Sequence, residues 1–212
     1  MSLETRWWWI RHAPVDSGGR IYGSTDVSAD CSDSRLFQPL ARRLPDPAVW
    51  ITSTLKRTHE TADAILAQAD GARAQPAMLR DEALIEQSFG DWHGLTYAEL
   101  DALRGRDRDS FWLTMADEVP PNGESFAQLV ERVSAAILRL TEAHAGQDIV
   151  AVTHGGTIRA ALALALGLSP ARALAFSIDN CSLTRIDHYA ISDAPDGRAW
   201  RVGAVNDGPF QN

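Results

Sequence analysis

The sequence predicts an α/β fold: a three-layer α/β/α sandwich with a mostly parallel central sheet and a small helical excursion over one edge. Three observations predict it. Short, nearly continuous apolar runs recur along the chain, as strands buried on both faces require. Longer segments with apolar residues three and four apart lie between them, so strands and helices alternate. The length, 212 residues, suits one domain with its own core, so residues 1–212 are expected to form a single unit.

Taken in order, residues 6–10 (Arg-Trp-Trp-Trp-Ile) read as a buried strand that runs into Arg11-His12 and stops before Pro14. Residues 34–43 read as a helix. Residues 48–52 (Ala-Val-Trp-Ile-Thr) are a second strand. Residues 55–69 are a helix with Ala62, Ile65 and Leu66 on one face. Residues 90–122 fit the alternation poorly: they hold Trp92, Trp112, the charged run Arg-Gly-Arg-Asp-Arg-Asp-Ser and Pro120-Pro121. They are expected to form a helical, lid-like insertion whose tryptophans either pack or wall a substrate. The longest helix spans 124–144, with Phe126, Leu129, Val133, Ile137 and Leu140 aligned; the preceding Pro-Pro-Asn-Gly-Glu-Ser supplies turn chemistry and an early acid. Residues 148–153 (Asp-Ile-Val-Ala-Val-Thr) are the clearest strand. A helix follows over 156–166, then strands over 182–186 and 199–204.

Composition narrows the function. A formal net charge of -8 opposes a nucleic-acid surface, which needs a basic field. Lys56 is the sole lysine; the other cations are arginines, a bias that a GC-rich genome explains. Guanidinium groups nevertheless grip phosphate in a planar, two-pronged way. Cys31 and Cys181 lie far apart and show no metal-ligand spacing, so they read as reduced thiols of a cytoplasmic protein. No apolar stretch reaches about 18 residues, so no membrane span is expected, and the N-terminal residues lack the pattern of a signal peptide.

In open parallel sheets, ligands bind beyond the carboxyl ends of the strands. Two strands end in histidine: one at Arg11-His12, the other at Thr153-His154-Gly155-Gly156. A third ends at Ser53, ahead of Lys56 and Arg57. If these strands share a sheet and a direction, Arg11, His12, Arg57 and His154 meet at one rim. Such a cluster repels itself unless an anion sits in it, and phosphate accepts several charge-assisted hydrogen bonds at once. Backbone N–H groups of Gly155 and Gly156, opening a helix, add to the grip. Each piece alone is weak, since a lone histidine at a strand end is more often structural than catalytic.

Five motifs in order make the chain resemble the histidine phosphatase superfamily, also called phosphoglycerate mutase-like. They are Ile-Arg-His-Ala-Pro; Ser53, Leu55, Arg57, Thr61 and Ala62 within Ser-Thr-Leu-Lys-Arg-Thr-His-Glu-Thr-Ala; Glu86, Phe89, Gly90 and Trp92; Gly123 to Ser125; and Thr153 to Gly156. The resemblance implies that His12 is the nucleophile, accepting a phosphoryl group as phosphohistidine through a neutral ring. It implies that Arg11, Arg57, His154 and Gly155 hold the phosphate. Glu86 would protonate the leaving oxygen and then activate water. It implies neither metal nor cofactor, and a small phosphate ester as the partner.

The chain also departs from the family pattern. Ala13-Pro14-Val15 replaces Gly-Glu-Thr or Gly-Gln-Thr, and Gly18 stands where an Asn is frequent. Ser17 and Ser24 are the candidates to replace that Asn. Where the Trp-x-Gly motif usually has Glu, this chain has His93, which either contacts substrate or sits exposed. Tyr22 is expected to line the entrance. The short chain, without lysine between 94 and 122, favours a phosphatase, resembling the branch that includes α-ribazole phosphatases, acting on an α-ribazole-phosphate-like ester or a sugar phosphate. The alternatives are a cofactor-dependent phosphoglycerate mutase and a phospho-ligand-binding protein of low turnover. The oligomeric state stays open.

Overall fold

The computed structural model describes residues 3–69, 76–105, 113–190 and 198–208. The strands are β1 (Glu4–Arg11), β2 (Val49–Thr52), β3 (Met78–Arg80), β4 (Asp148–Thr153), β5 (Leu183–Ala190) and β6 (Arg198–Asp207). They form one sheet in the order β3-β2-β4-β1-β5-β6. The first four in that order run parallel, and β5 and β6 close the far side antiparallel. The helices are α1 (Gln38–Arg43), α2 (Lys56–Leu66), α3 (Tyr97–Arg104), α4 (Phe126–Ala143), α5 (Gly155–Leu166) and the short α6 (Pro170–Ala173).

Side-chain alternation along the strands builds the three layers. Ile51, Ile149 and Ala151 face α4 and α5, packing on Leu129, Val133, Ile137 and Ile158. Trp50, Val150 and Val152 face α1 and α2, packing on Leu40, Ala62 and Ile65. The tryptophan run divides the same way. Trp7 and Trp9 lie on the α4/α5 side, stacked with ring centroids 4.6 Å apart. The indole N–H of Trp7 donates to Thr141 Oγ1 at 3.0 Å, so its polar atom is satisfied in the core. Trp8 faces the other way, half-buried; its N–H donates to Asp148 Oδ1, and the Arg185 guanidinium lies over its ring.

Three elements differ from expectation. β3 is a three-residue strand with two exposed members, too short and too polar to show a period. The helix expected over 34–43 is broken: Ser34–Leu36 is a 3-10 turn, and α1 starts at Gln38 with Pro39 in its first turn, where a missing N–H does no harm. β5 and β6 run longer than the apolar runs that signalled them, because added residues such as Asp187 and His188 are polar and are held in the sheet by antiparallel pairing. No helix among the described residues is long and apolar enough to cross a membrane.

In the expected excursion, Gly90–Trp92 forms a 3-10 turn, and Thr96 caps α3 in a reciprocal capping box with Glu99. Trp92 and Leu100 pack on Ile21, with Phe89, Leu95 and Leu113 around them. Arg104 lies over the Trp92 ring and pairs with Glu118. Trp92 is therefore a packing residue; Trp112 and the run after Gly105 lie outside the described residues.

Candidate active site

Sheet register brings the strand ends together. Arg11 is level with Thr153 across the β1–β4 pair, and Thr52 with Val152 across β2–β4. The residues that follow, His12, His154 and Ser53, therefore emerge side by side at one rim. The rings of His12 and His154 have centroids 5.3 Å apart.

His12 is buried, and its Nδ1 lies 2.7 Å from the Ala13 carbonyl oxygen. A carbonyl only accepts, so Nδ1 carries the proton and Nε2 keeps a free lone pair. Burial lowers the ring's pKa from 6.5 to about 3, with the Arg57 and Arg11 charges adding to the effect against the opposing Ala13 carbonyl. The backbone here is fixed on all sides. His12 N–H donates to Thr153 O at 2.9 Å, Ala13 N–H to Thr61 Oγ1 at 2.9 Å, and Asn180 Nδ2 to the His12 carbonyl at 2.7 Å.

His154 is fully enclosed. Its Nδ1 accepts from Arg57 Nε at 3.3 Å, so Nε2 donates to Ser53 Oγ at 2.8 Å. Burial, followed by the Arg57 charge, holds its pKa well below 6.5. Both imidazoles are thus neutral, and the positive charge of the rim comes from its arginines, not from four cations in mutual repulsion.

Arg57 sits at the start of α2 with no exposure. Besides His154 it donates to Gly23 O at 2.6 Å and Thr25 O at 2.8 Å, tying the 23–25 turn to the rim. A guanidinium has five N–H groups, so two remain for a ligand. Arg11 donates through Nη1 to Ile178 O at 2.5 Å, while its buried Nε has no partner among the described residues. A buried donor without a partner costs roughly 1–3 kcal/mol, which an anion at the rim would relieve.

Glu86 faces this cluster from the loop after Glu82–Leu84. Its carboxylate accepts from Gly156 N–H at 3.2 Å and Gln87 N–H at 3.0 Å. The Gly156 N–H is therefore held by Glu86, while Gly155 opens α5 beside Arg11. The Glu86 loop is clamped by Arg132, which donates to Ala83 O and Ile85 O and pairs with Glu124 at 2.6 Å. Glu124 in turn accepts from Ser88 N–H, which accounts for the Gly-Glu-Ser element.

A cavity of about 370 Å³ opens beside the cluster, with Tyr22, Gly23, Glu86 and Gly156 among its lining. Ile21, Phe89, Phe126 and Leu174 give it an apolar wall; Arg159 and Arg20 supply cations. Tyr22 lines the cavity, edge-on to His12 and with the Arg57 guanidinium over its ring. Ser24 sits half-buried in the neighbouring turn, outside the cavity lining. Gly18 takes a left-handed conformation in the turn where Ser17 O accepts from Arg20 N–H. His93 is half-buried and not exposed: its Nε2 accepts from Phe89 N–H at 3.0 Å, closing the turn that carries Phe89, and burial lowers its pKa.

Arg132, Arg159 and Asn180 were not singled out from the sequence. Arg159 had a signal: one helical turn beyond Gly155, it faces the same rim. Arg132 had a weaker one, two turns beyond Glu124. Asn180 had none, since its role depends on how β5 approaches β1.

Residues 7–200 match the histidine phosphatase superfamily (branch 1). Phosphoglycerate mutase-like protein 4 of Arabidopsis thaliana is 33% identical over 156 residues, covering 71% of this chain and 66% of that protein. The metal-independent phosphoserine phosphatase of the same plant is 30% identical over 159 residues, covering 71% of this chain and 64% of that protein. The match thus spans just under two thirds of either relative's length. Among solved structures, mycobacterial glucosyl-3-phosphoglycerate phosphatase superposes with a TM-score of 0.79 at 26% identity, covering 97% of this chain and 100% of that one.

Proposed function

This chain belongs to the histidine phosphatase superfamily (branch 1), and on that premise we propose that it is a metal-independent phosphomonoesterase that works through a phosphohistidine on His12. One observation carries the proposal: His12 is a neutral imidazole with Nδ1–H fixed on the Ala13 carbonyl, so a nucleophilic lone pair on Nε2 is free without any deprotonation step.

In the first half-reaction Nε2 attacks phosphorus, the bond from phosphorus to the ester oxygen breaks, and Glu86 delivers a proton to the departing alkoxide. In the second, the Glu86 carboxylate takes a proton from water, the resulting hydroxide attacks phosphorus, and the N–P bond breaks to give inorganic phosphate and the original His12. Arg11, Arg57 and the N–H of Gly155 stabilise the charge on the equatorial oxygens. His154 supports this by fixing Arg57; with Nδ1 as an acceptor it contacts phosphate only in its other tautomer.

The cavity volume supports a small phosphorylated metabolite. Tyr97, Leu113 and Thr114, from the 90–122 segment, line it, which supports that segment as a cover over the substrate. Cys31 and Cys181 are free thiols, in keeping with a cytoplasmic protein. The experiment is a panel of phosphate monoesters, α-ribazole 5′-phosphate and sugar phosphates included, assayed with a chelator present. Release of inorganic phosphate that collapses in His12→Ala supports the proposal; binding without turnover returns it to a phospho-ligand carrier. The mutase-like relative favours a second reading, phosphoryl transfer back to the substrate, which isomerisation of a phosphoglycerate without net phosphate release would establish.

A further inference from the structure

We propose that His93 is a positioning residue for Arg57: the hydrogen bond it accepts from Phe89 N–H holds the surface on which the Gly23 turn rests, and that turn aims the guanidinium at the phosphate. The proposal deepens the phosphatase reading above, and of that reading it needs only the phosphate site.

His93 is where the chain departs from the Trp-x-Gly pattern, and no step of the reaction uses it. Its Nε2 accepts from Phe89 N–H at 3.0 Å, across the 3-10 turn Gly90–Trp92. An imidazole accepts only while that nitrogen is unprotonated. Burial lowers the pKa of the ring, so it is an acceptor at neutral pH. The Phe89 and His93 rings meet edge to face, with centroids 6.3 Å apart, so the bond and the ring contact fix Phe89 together.

Gly23 lies directly against this pair. A Cβ at Gly23 would stand 2.8 Å from His93 Nε2, 2.6 Å from Phe89 Cδ2 and 2.5 Å from Gln87 O, so a bare backbone is needed there. The chain before it is docked on the same segment: Gly94 N–H donates to Ile21 O at 2.8 Å, and Ile21 N–H to Leu95 O at 2.9 Å. On its other side the turn meets Arg57, whose Nη2 donates to Gly23 O and whose Nη1 donates to Thr25 O. Contacts thus run without a gap from His93 through Phe89 and Gly23 to the guanidinium. Because a guanidinium is planar and rigid, the carbonyls of Gly23 and Thr25 decide where its two remaining N–H groups point. Without an acceptor at position 93, Phe89 N–H loses its partner and the support under Gly23 is no longer held.

The test titrates inorganic phosphate calorimetrically into the wild type, His93→Leu, His93→Gln, Arg57→Ala and the double variant His93→Leu/Arg57→Ala, with thermal melts to verify folding. His93→Leu is expected to weaken phosphate binding by about 3- to 10-fold, the worth of one hydrogen bond. His93→Gln, which carries an acceptor at the same reach, restores most of that loss. In the Arg57→Ala background the exchange of His93 makes no further difference, because its effect travels through the guanidinium. If His93→Leu does not fold, His93→Asn, whose oxygen ends short of Phe89 N–H, takes its place with the same expectations. Unchanged affinity in the folded variant, an equal loss in His93→Gln, or the full loss repeated in the Arg57→Ala background would each overturn the proposal and leave His93 a packing residue. The two readings fail separately. Phosphate binding with the expected coupling but no ester turnover defeats the phosphatase reading alone, whereas turnover with no effect of His93→Leu defeats this proposal alone. A wild type that binds no phosphate overturns both.

Discussion

Gly156 N–H donates to Glu86 Oε2 at 3.2 Å, and a Cβ on Gly156 would collide with the other oxygen of that carboxylate. The second glycine of the Thr-His-Gly-Gly motif is thus the residue that lets the proposed acid approach the rim.

Gly156→Ala is therefore expected to displace Glu86 while leaving the fold intact. The atom in the way is the far end of a flexible side chain, and alanine in a helix is favoured over glycine by roughly 0.5–1 kcal/mol. Displacing a catalytic group by about 1 Å costs on the order of 10²-fold in rate. Steady-state kinetics beside a thermal melt check this; full activity in a folded Gly156→Ala would remove Glu86 from its role. Glu86→Ala itself is expected to cost on the order of 10²–10⁴.

Acid should destabilise the fold before ordinary carboxylates titrate. His12 stays neutral in the folded chain down to about pH 3, and His154 is shifted the same way, whereas in the unfolded chain both take up a proton near 6.5. Below 6.5 the unfolded state binds more protons, so stability falls with falling pH, by up to about 1.4 kcal/mol per unit for each imidazole. Urea denaturation at pH 7.5, 6.5 and 5.5 should show the loss beginning near 6.5. His12→Gln should shrink the slope, and a flat profile would contradict the buried neutral state.

Arg57→Lys should fail as a conservative exchange. Arg57 reaches His154, Gly23 O and Thr25 O with three separate nitrogens, and one ammonium cannot hold all three directions. The expected loss in kcat/KM is roughly 10²–10³, measured on a simple monoester. Activity equal to the wild type would mean that bare charge is enough at that position.

The tryptophan run gives a stability prediction with an internal control. Trp9→Ala empties a fully buried site and should cost about 3–5 kcal/mol. Trp8→Ala removes a half-buried ring, one hydrogen bond and a cation–π contact, and should cost less than about 3 kcal/mol. Urea denaturation of both variants checks the order; equal losses would contradict the division of the run between the two faces.

How much of this was legible in the sequence follows from where each residue's role is decided. The parallel core was legible because β1, β2 and β4 are buried on both faces and so read as unbroken apolar runs. His12 and His154 were legible as a pair because each closes such a run, and strand ends share a rim. β3 was not, since three residues carry no period. The tautomer logic of His154 was not legible either, since it depends on Ser53 and Arg57 arriving from another strand and helix. The role of His93 was missed because its contact, the Phe89 N–H, is a property of a local turn and not of residue type. Arg159 is one arginine among many in the sequence, although its place one turn beyond Gly155 puts it on the rim.

The most direct test of the account is to mix the protein with a phosphorus-labelled monoester, quench it within the first turnovers and map the label. The account predicts acid-labile, alkali-stable phosphate on the peptide containing His12, and none in His12→Ala. Rapid release of phosphate with no label on His12 at any quench time, or with the label on another residue, would contradict it.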